Sequence, residues 1–416
     1  MSEQILCRKY IIILKTEKNY KIGIVCYPTY GGSGVVATEL GIALAEKGHE
    51  VHFISYSQPF RLDRVSDKTF FHEVTVPDYP LFDYTPYELN LTSKLVDVVL
   101  HEKIDILHVH YAIPHASAAI QAKHILETYG IKIPIVTTLH GTDITLLGKD
   151  KSFKPVIEYA INKSDAVTSV SLDLKKETLN HFKITKQIDV IPNFIDSNLY
   201  NKDGDKVLRS KFANTDEKIL IHVSNFRKVK RVTDVVKIFE IVQKEIPSKL
   251  IMIGDGPERI QAEQLCRKLN ISDRVKFMGK LKSVEEFMSI SDLFLLPSET
   301  ESFGLVALEA MASGVSVISS NSGGLSEVNI DGITGYLSEV GDVKQMSENA
   351  ITLLSNEKML DTFKQNAFNH AMNFDLPSID SKIKVGGTNL GGEEYFMMPG
   401  SGAIGSQFYV GLTINP

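Results

Sequence analysis

Two glutamates lie eight positions apart in the stretch from Pro297 to Gly314. Glu301 falls at a loop-to-helix junction, and Glu309 falls about two turns further along the predicted helix. Glu309 stands among Val, Ala, Leu and Met side chains, where a carboxylate is costly to bury unless it accepts hydrogen bonds. A ligand that carries hydroxyl groups, such as a ribose, explains Glu309. A buried structural salt bridge is the alternative.

Four cations occupy the five positions 227–231, shortly after the predicted strand Ile219–Val223. An arginine offers an anion two parallel donors, and a lysine offers a point charge. The cluster therefore suits a diphosphate, with Arg227, Lys230 and Arg231 as its expected contacts. The alternative is a basic face that contacts only solvent.

Glycine-rich turns join predicted strands to helices. Gly31, Gly32 and Ser33 precede the predicted helix Val35–Lys47, whose free N–H groups would suit a phosphate or a carboxylate. A tight turn without a ligand explains the same residues. The motif is neither a P-loop nor a regular dinucleotide fingerprint, and no acidic residue follows the strand Val51–Tyr56 to hold a ribose. Similar glycines at other strand ends are Gly254, Gly279 and the turn Ser322, Gly323 and Gly324.

A histidine follows the predicted strand Ile135–Leu139, in the sequence His140-Gly141-Thr142-Asp143. At a strand end, His140 could hydrogen-bond to a sugar hydroxyl or to an oxygen at a reaction centre. Equally, Asp143 could cap a helix beside a structural His140.

Strands and helices alternate from Lys21 onward, and the pattern restarts after about residue 195. Continuous Ile- and Val-rich strands that alternate with helices are typical of a parallel, doubly wound sheet. We therefore predict an α/β protein with two Rossmann-like domains, with the site in the cleft that they face. The predicted later strands and helices include Val190–Phe194, Val232–Glu245, Lys249–Ile253, Leu293–Leu296, Val306–Ser313 and Val315–Ser319.

Composition limits the class of protein. The chain has 416 residues, 43% hydrophobic and 23% charged, with a net charge of −6. These values indicate a globular protein of two domains and disfavour binding to nucleic acid or to an anionic membrane. Three separated cysteines, with no apolar run of membrane-helix length, favour a cytoplasmic protein without disulfides.

The motifs together resemble a known family. Arg227, Arg231, the Glu301-x7-Glu309 pair and the Ser-Gly-Gly turn resemble the donor site of family 4 retaining glycosyltransferases, which have the GT-B fold. The chain is similar in more detail to the N-acetylglucosaminyl L-malate synthases of bacillithiol biosynthesis, from about Lys21 to Phe374. The stretches that carry this similarity are Lys21–Ile54, His108–His115, Thr137–Thr145, Ser224–Arg231 and Pro297–Gly314.

The resemblance implies roles at the donor site, where UDP-N-acetylglucosamine would bind. Arg227 and Arg231, with Lys230 as a substitute for the latter, would neutralise the diphosphate as UDP leaves. Glu309 would hold the ribose and Glu301 would orient the sugar, while His140 would contact the sugar that is transferred. Amide groups at Gly31, Gly32, Ser322, Gly323, Gly324, Gly254 and Gly279 would complete the donor site.

The resemblance also implies the acceptor, L-malate, whose two carboxylates need cations or amide donors. Tyr111 and Thr142 match acceptor-side positions of related enzymes, Ser33 is grouped with them, and Arg61 is a carboxylate partner by its charge. In the family's front-face reaction the leaving phosphate oxygen takes the acceptor proton. That reaction implies no carboxylate pair of the glycosidase type, no metal site and no cofactor beyond the donor substrate.

The expected partners are the two small substrates, with no nucleic acid and no membrane, and a homo-oligomer is left open.

The expected domains are 21–195 for the acceptor and 196–374 for the UDP-sugar, after an extension at 1–20. Residues 375–416 depart from the family, which ends in a helix that crosses back. Here the last 36 residues hold eight of the 28 glycines and also Pro399, which exclude a continuous helix.

We expect a disordered tail, from a frameshifted or fused end, that would weaken the coupling of the domains. Two other functions stay open at this point: an enzyme like the UDP-N-acetylglucosamine 2-epimerases, and a non-catalytic protein that binds a sugar nucleotide.

Overall fold

The computed structural model describes residues 19–29, 31–62, 66–76, 86–146, 148 and 150–375, and the strand segments 383–388 and 407–412. They fall into two compact units. The first comprises the described residues up to Thr138 together with Pro155–Asp165, and the second comprises those of Leu139–Lys154 together with the described residues from Ala166 onward. Both units are α/β, as predicted, and their β-sheets are parallel apart from one pair of strands in the tail.

The first unit alternates strands with helices along the chain. Its elements are β1 (Lys21–Val25), α1 (Gly32–Glu46), β2 (Glu50–Ser55), β3 (Thr69–Glu73), α2 (Tyr87–Glu102), β4 (Ile106–His110), α3 (Ser117–Thr128), β5 (Ile135–Leu139) and α4 (Lys154–Lys163). The strands lie in the order β3-β2-β1-β4-β5. In the register, Val25 of β1 lies between Ile54 of β2 and Val109 of β4, and all three side chains are buried.

The second unit contains the parallel pair β6 and β7 and, separate from that pair, a six-stranded sheet. Its first elements are β6 (Ala166–Ser169), α5 (Leu172–His181), β7 (Ile188–Val190), α6 (Lys206–Ser210), β8 (Lys218–Val223), α7 (Val232–Glu245), β9 (Ser248–Ile253), α8 (Arg259–Lys268) and β10 (Val275–Gly279). The rest are α9 (Glu285–Ser289), β11 (Leu293–Leu296), α10 (Leu305–Ala312), β12 (Ser316–Ser320), α11 (Leu325–Val328), β13 (Gly335–Ser338), α12 (Val343–Ser355) and α13 (Glu357–Ala371).

The core of the second unit forms where apolar helix faces cover the sheet. Helix α7 places Val232, Val235 and Phe239 on one buried face, at the spacing of a helix that covers a core. These side chains belong to one cluster with Leu220 of β8 and Leu250 of β9. The cluster fixes the position of β8, and therefore of the loop that leaves its carboxyl end.

The order of strands reverses once in each sheet. In the first unit the reversal lies between β1 and β4, and in the second sheet, of order β10-β9-β8-β11-β12-β13, it lies between β8 and β11. Loops at the carboxyl ends of two strands that flank such a reversal diverge and leave a crevice where ligands bind. The loops that follow β1, β4, β8 and β11 therefore border these reversals.

Most predicted elements are confirmed within a few residues, including Val232–Glu245 and Leu293–Leu296, whose bounds are the observed ones. The predicted strand Val190–Phe194 is wrong beyond its first residue, because β7 ends at Val190. Pro192 follows at once, and a proline has no N–H to donate to a strand ladder.

The structure describes only two segments of the tail. Ile383–Thr388 and Gln407–Leu412 pair as antiparallel strands, so the absence of a continuous helix is confirmed at these residues. The expected disorder stays a prediction for the rest, which lies outside the described residues, as does the expected extension up to residue 18. Among the helices that the structure describes, none is long and apolar enough to cross a membrane.

Candidate active site

The loops after β8 and β11 meet beside the reversal of the second sheet. The backbone N–H of Glu299, after β11, donates to the carbonyl oxygen of Val229, after β8, at 2.7 Å. This bond brings the predicted basic cluster and the predicted acidic loop together. Two stretches some 70 residues apart in the sequence thus form one surface.

Lys230 and Glu301 form an ion pair at this junction, through the lysine Nζ and the glutamate Oε1. The Ser298 hydroxyl donates to the same carboxylate oxygen at 2.9 Å. The two charged side chains are only 18% and 12% exposed, where solvent screens a charge less than at an open surface. Both were predicted to bind the donor, and the structure places them in direct contact.

Glu309 lies on α10 and is only 8% exposed. Its Oε1 accepts a hydrogen bond from the Tyr200 hydroxyl at 3.0 Å, which offsets part of the cost of burying the carboxylate. The described partner of the Glu309 carboxylate is thus the hydroxyl group of Tyr200. The alternative prediction for Glu309 was a buried salt bridge. Tyr200 was missed because it lies in a polar stretch, 109 residues from its partner, that carries no motif.

The two predicted arginines differ in their surroundings. Arg231 has a left-handed backbone, with φ of 49°, and its Nε donates to Asp234 at 2.7 Å. The Arg227 side chain is exposed, and within the described part of the chain no hydrogen bond or ion pair is recorded for its guanidinium group. Arg227, like the exposed Lys228 beside it, can therefore receive an anion without first losing a described partner.

The Ser-Gly-Gly turn rests on the loop after β11. The Gly324 N–H donates to the carbonyl oxygen of Glu301 at 2.9 Å, and the Ser322 hydroxyl donates to that of Glu299 at 2.7 Å. Gly323 has a φ of 59°, and a Cβ there would lie 2.0 Å from the Glu301 carbonyl oxygen. Only glycine fits this position without displacing the backbone of the acidic loop.

Gly254 and Gly279 lie at neighbouring strand ends and have structural partners. The Gly254 N–H donates to the carbonyl oxygen of Gly279 at 2.8 Å. A Cβ on Gly254 would lie 1.7 Å from the Ser224 carbonyl oxygen, so close packing explains this glycine. The amide of Gly254 is already paired, and its predicted role as a donor contact stays a prediction.

The loop after β5 packs against the acidic loop. Gly141 has a φ of 110°, and a Cβ there would lie 1.7 Å from the Ser302 hydroxyl oxygen. The Gly141 N–H donates to the buried Asp143 carboxylate at 3.2 Å, so Asp143 stabilises this turn. His140 is buried and Thr142 is exposed. His140 thus precedes the glycine that packs against Ser302, the residue after Glu301. Its predicted contact with the sugar stays a prediction.

The reversal of the first sheet carries a second group of predicted residues. The Tyr111 hydroxyl, after β4, donates to the Ser33 hydroxyl oxygen at 2.6 Å. Ser33 lies in the first turn of α1, behind Gly31 at the N-cap and Gly32 at the first helical position. Tyr111 has a φ of 88°, which costs free energy for a residue with a side chain and is common at functional sites.

Arg61, the predicted partner of a carboxylate, already has one in the chain. Its Nη1 lies 3.4 Å from Oε1 of Glu39 on α1, and both side chains are largely buried. The sequence contains no local signal for this ion pair, because the two residues are 22 positions apart. Malate would therefore have to share Arg61 with Glu39.

His222 lies at the end of β8, beneath the basic loop. Its Nδ1 lies 2.8 Å from the Leu295 carbonyl oxygen and must carry the proton, so Nε2 accepts from the Ser224 hydroxyl, also at 2.8 Å. Burial lowers the pKa of His222 to about 4 because a buried imidazolium loses its hydration. The ring is neutral at pH 7 and links β8, β11 and the first residue of the loop.

Among the described residues, no group of three or more His, Cys, Asp or Glu side chains could hold a metal ion.

Two models of known protein families match this chain. Residues 30–199 match the model described as "Glycosyltransferase Family 4", and residues 204–370 match the one described as "Glycosyl transferases group 1". Solved structures with the same fold include sucrose-phosphate synthase from Thermosynechococcus elongatus and Anabaena HepE in complex with UDP and glucose. The synthase has a TM-score of 0.73 at 20% identity, and the match covers 86% of this chain and 96% of the synthase. HepE has a TM-score of 0.74 at 19% identity, and the match covers 87% of this chain and 98% of HepE.

The two α/β domains and these family matches define the class: the chain belongs to the family 4 glycosyltransferases, with the GT-B fold. Among its relatives is the N-acetyl-alpha-D-glucosaminyl L-malate synthase of Bacillus anthracis. The two are 53% identical over 340 residues, which cover 82% of this chain and 88% of the relative. The predicted resemblance, fold and enzyme class are thereby confirmed.

Proposed function

We propose that this glycosyltransferase transfers N-acetylglucosamine from UDP-N-acetylglucosamine to the hydroxyl group of L-malate, with retention at the anomeric carbon. The observation that carries the proposal is the 53% identity to a relative named for this reaction, over most of both chains. The reaction would be the first step of bacillithiol biosynthesis and would take place in the cytoplasm. The two substrates are its small-molecule partners.

The donor would bind at the reversal of the second sheet. Glu309, oriented by Tyr200, has an oxygen that can accept from a ribose hydroxyl group. Arg227 is exposed and would bind the diphosphate, with Lys230 and Arg231 beside it. Lys230 pairs with Glu301, so on binding its ammonium group would be shared between that carboxylate and the donor.

Glu301 would hold a hydroxyl group of the sugar. Its carboxylate is positioned by Lys230 and Ser298, so it can accept a hydrogen bond without first being ordered. His140, on the loop that packs against Ser302 through Gly141, would contact the transferred sugar. Placing these groups before the donor arrives lowers the entropic cost of reaching the reactive geometry.

The chemical step forms one bond and breaks one. The malate hydroxyl oxygen bonds to the anomeric carbon, on the face that the diphosphate leaves, while the bond from that carbon to the phosphate oxygen breaks. The leaving oxygen takes the proton of the malate hydroxyl, so the products are UDP and the glycosyl malate. Arg227 and Lys230 would stabilise the charge that develops on UDP, and no step assigns proton transfer to a side chain.

The acceptor would bind near the reversal of the first sheet, where Tyr111 donates to Ser33 at 2.6 Å. The N-terminus of α1 offers N–H groups and the positive end of the helix dipole to a malate carboxylate. Arg61 and Thr142 complete the proposed acceptor contacts.

One assay tests the proposal and separates it from the alternatives. The purified chain is incubated with UDP-N-acetylglucosamine, with and without L-malate, and UDP and sugar products are measured. We expect UDP release and a glycosyl malate only when malate is present. An epimer formed without malate would identify an epimerase, and binding without turnover would identify a non-catalytic protein; either result contradicts the proposal.

A further inference from the structure

Helix α5 begins against a carboxylate from a distant part of the chain. The N–H of Leu172 donates to Oε2 of Glu327 at 2.9 Å, and the N–H of Asp173 donates to Oε1 at 2.8 Å. The Ser171 hydroxyl accepts from the N–H of Leu174 at 3.0 Å. The first N–H groups of a helix have no partner within it. Here three consecutive ones are satisfied, two of them by Glu327.

Glu327 lies on α11, three residues after Gly324. Its position is therefore tied to the Ser-Gly-Gly turn, whose Gly324 N–H donates to the Glu301 carbonyl oxygen at 2.9 Å. A carboxylate at a helix N-terminus gains both hydrogen bonds and the attraction of the dipole. The bonds to α5 hold α11, and with it the turn.

The same end of α5 also binds the acidic loop. The Ser171 hydroxyl donates to the Ser302 carbonyl oxygen at 2.6 Å. A Cβ on Gly324 would lie 2.4 Å from that same oxygen, so the turn and the loop are in close contact. The N-terminus of α5 therefore joins the two segments on which the proposed donor site depends, those of Glu301 and of Gly323.

We propose that Glu327 is a positioning residue for the UDP-sugar: its carboxylate holds the Ser-Gly-Gly turn against α5, so that the amide of Gly323 faces the diphosphate. The inference rests on the proposed function, because it needs a UDP-sugar at this turn. Glu327 does not touch the donor in this account. It acts through the turn, and its loss changes donor binding more than acceptor binding.

The test compares Glu327→Ala and Glu327→Gln with a matched loss of a helix cap elsewhere in the second unit. The control is Asn356→Ala, because Asn356 caps α13 by accepting from the Met359 N–H at 3.1 Å. The measurements are the Kd of UDP by calorimetry, the KM values for UDP-N-acetylglucosamine and L-malate, and the melting temperature.

We expect Glu327→Ala to raise the Kd of UDP and the donor KM about tenfold, and Glu327→Gln about threefold, since the amide keeps one acceptor oxygen. The malate KM should stay within about twofold. Asn356→Ala should lower the melting temperature, as a lost cap does, without changing UDP binding. A larger rise in the donor KM than in the malate KM, rather than a lower melting temperature, would identify Glu327 as a positioning residue.

Two results would overturn the inference. One is UDP binding by both Glu327 variants at the native Kd. The other is an equal loss of UDP binding in Asn356→Ala, which would mean that general destabilisation is the cause. A native chain that binds UDP but transfers no sugar to malate would contradict the proposed acceptor and leave these comparisons valid. A native chain that does not bind UDP would contradict both proposals.

Discussion

At the scale of single residues, the charged groups of the candidate donor site other than Arg227 already have partners. Lys230 pairs with Glu301, Arg231 with Asp234, and Glu309 accepts from a tyrosine hydroxyl. Buried or half-buried charges need such partners when no ligand is bound. The partners also fix the side chains in place, and the donor would meet groups whose rotamers are already set.

Tyr200 provides a test of how Glu309 is oriented. Tyr200→Phe removes only the hydroxyl group that donates to Glu309. We expect the KM for UDP-N-acetylglucosamine to rise about three- to tenfold, the usual value of one such hydrogen bond, with kcat within about twofold. Tyr159→Phe, at an exposed tyrosine of α4, is the control. An unchanged KM in Tyr200→Phe would show that Glu309 does not need this bond.

Lys230 provides a test of the charge pair. Lys230→Met keeps the apolar stem but leaves the Glu301 carboxylate without its cation. We expect kcat/KM to fall about 100-fold, since both the diphosphate contact and the position of Glu301 are lost. Lys228→Met, an exposed neighbour on the same turn, should change kcat/KM by less than about threefold. Equal losses in the two variants would point to the net charge of the loop instead.

At the scale of elements, strand ends and their turns decide which residues meet. The reversal of the second sheet between β8 and β11 brings a basic loop and an acidic loop together. The sequence indicated both strands and placed both loops at carboxyl ends, so the rule for open parallel sheets predicted the location. It could not indicate the partner of each side chain, since Tyr200–Glu309, Arg61–Glu39 and α5–Glu327 join residues far apart in sequence.

Two edge strands, β3 and β13, were also beyond the sequence pattern. Strand β3 has two exposed phenylalanines, Phe70 and Phe71, and lacks the buried Ile and Val run that marked the other strands. Strand β13 is four residues long and begins with a glycine. Short edge strands carry little hydrophobic signal, because they need less apolar surface than central strands.

The turn at Gly323 can be tested against a glycine of similar conformation. Gly323→Ala must tolerate both a positive φ and a Cβ 2.0 Å from the Glu301 carbonyl oxygen; Gly332→Ala meets a φ of 69° with nothing within 4 Å. We expect Gly332→Ala to cost about 1 kcal/mol in the free energy of unfolding and to leave UDP binding unchanged. Gly323→Ala should cost at least about 1 kcal/mol more and weaken UDP binding more than about tenfold. Similar effects of the two substitutions would contradict the close packing of the turn.

The buried histidine of β8 predicts how stability depends on pH. Burial holds the pKa of His222 at about 4 in the folded chain, against an ordinary histidine value of 6.5. As the pH falls, His222 is therefore protonated in the unfolded chain before it is protonated in the folded chain. The contribution of the neutral ring to stability is complete above pH 6.5 and is lost as the pH falls toward 4. The slope is up to about 1.4 kcal/mol per pH unit for this group.

The measurement is the free energy of unfolding between pH 7.5 and 4.5. His222→Asn should be less stable at pH 7.5 but should have a shallower slope than the native chain, whereas His124→Gln, at an exposed histidine, should keep the native slope. His108 and His115, whose pKa values burial also lowers to about 4, would maintain part of the slope in every variant. An unchanged slope in His222→Asn would contradict the assignment of a neutral, buried ring.

At the scale of the whole molecule, the two α/β units divide the predicted contacts. The first unit holds the Ser33–Tyr111 pair and the second holds the Lys230–Glu301 pair and Glu309. The predicted acceptor contact Thr142 is an exception to this division, because it lies in the second unit. Near the end of the second unit, the Asp375 carboxylate accepts from the Ser197 N–H and hydroxyl at 2.8 and 2.9 Å.

The central claim is transfer to malate with retention, and the most direct measurement is the proton NMR spectrum of the reaction product. With UDP-N-acetylglucosamine and L-malate together, we expect one new anomeric signal with the small coupling constant of an α-linked N-acetylglucosamine, formed in equal amount to UDP. No such product is expected without malate. A β-linked product, or UDP released at the same rate whether or not malate is present, would contradict the account.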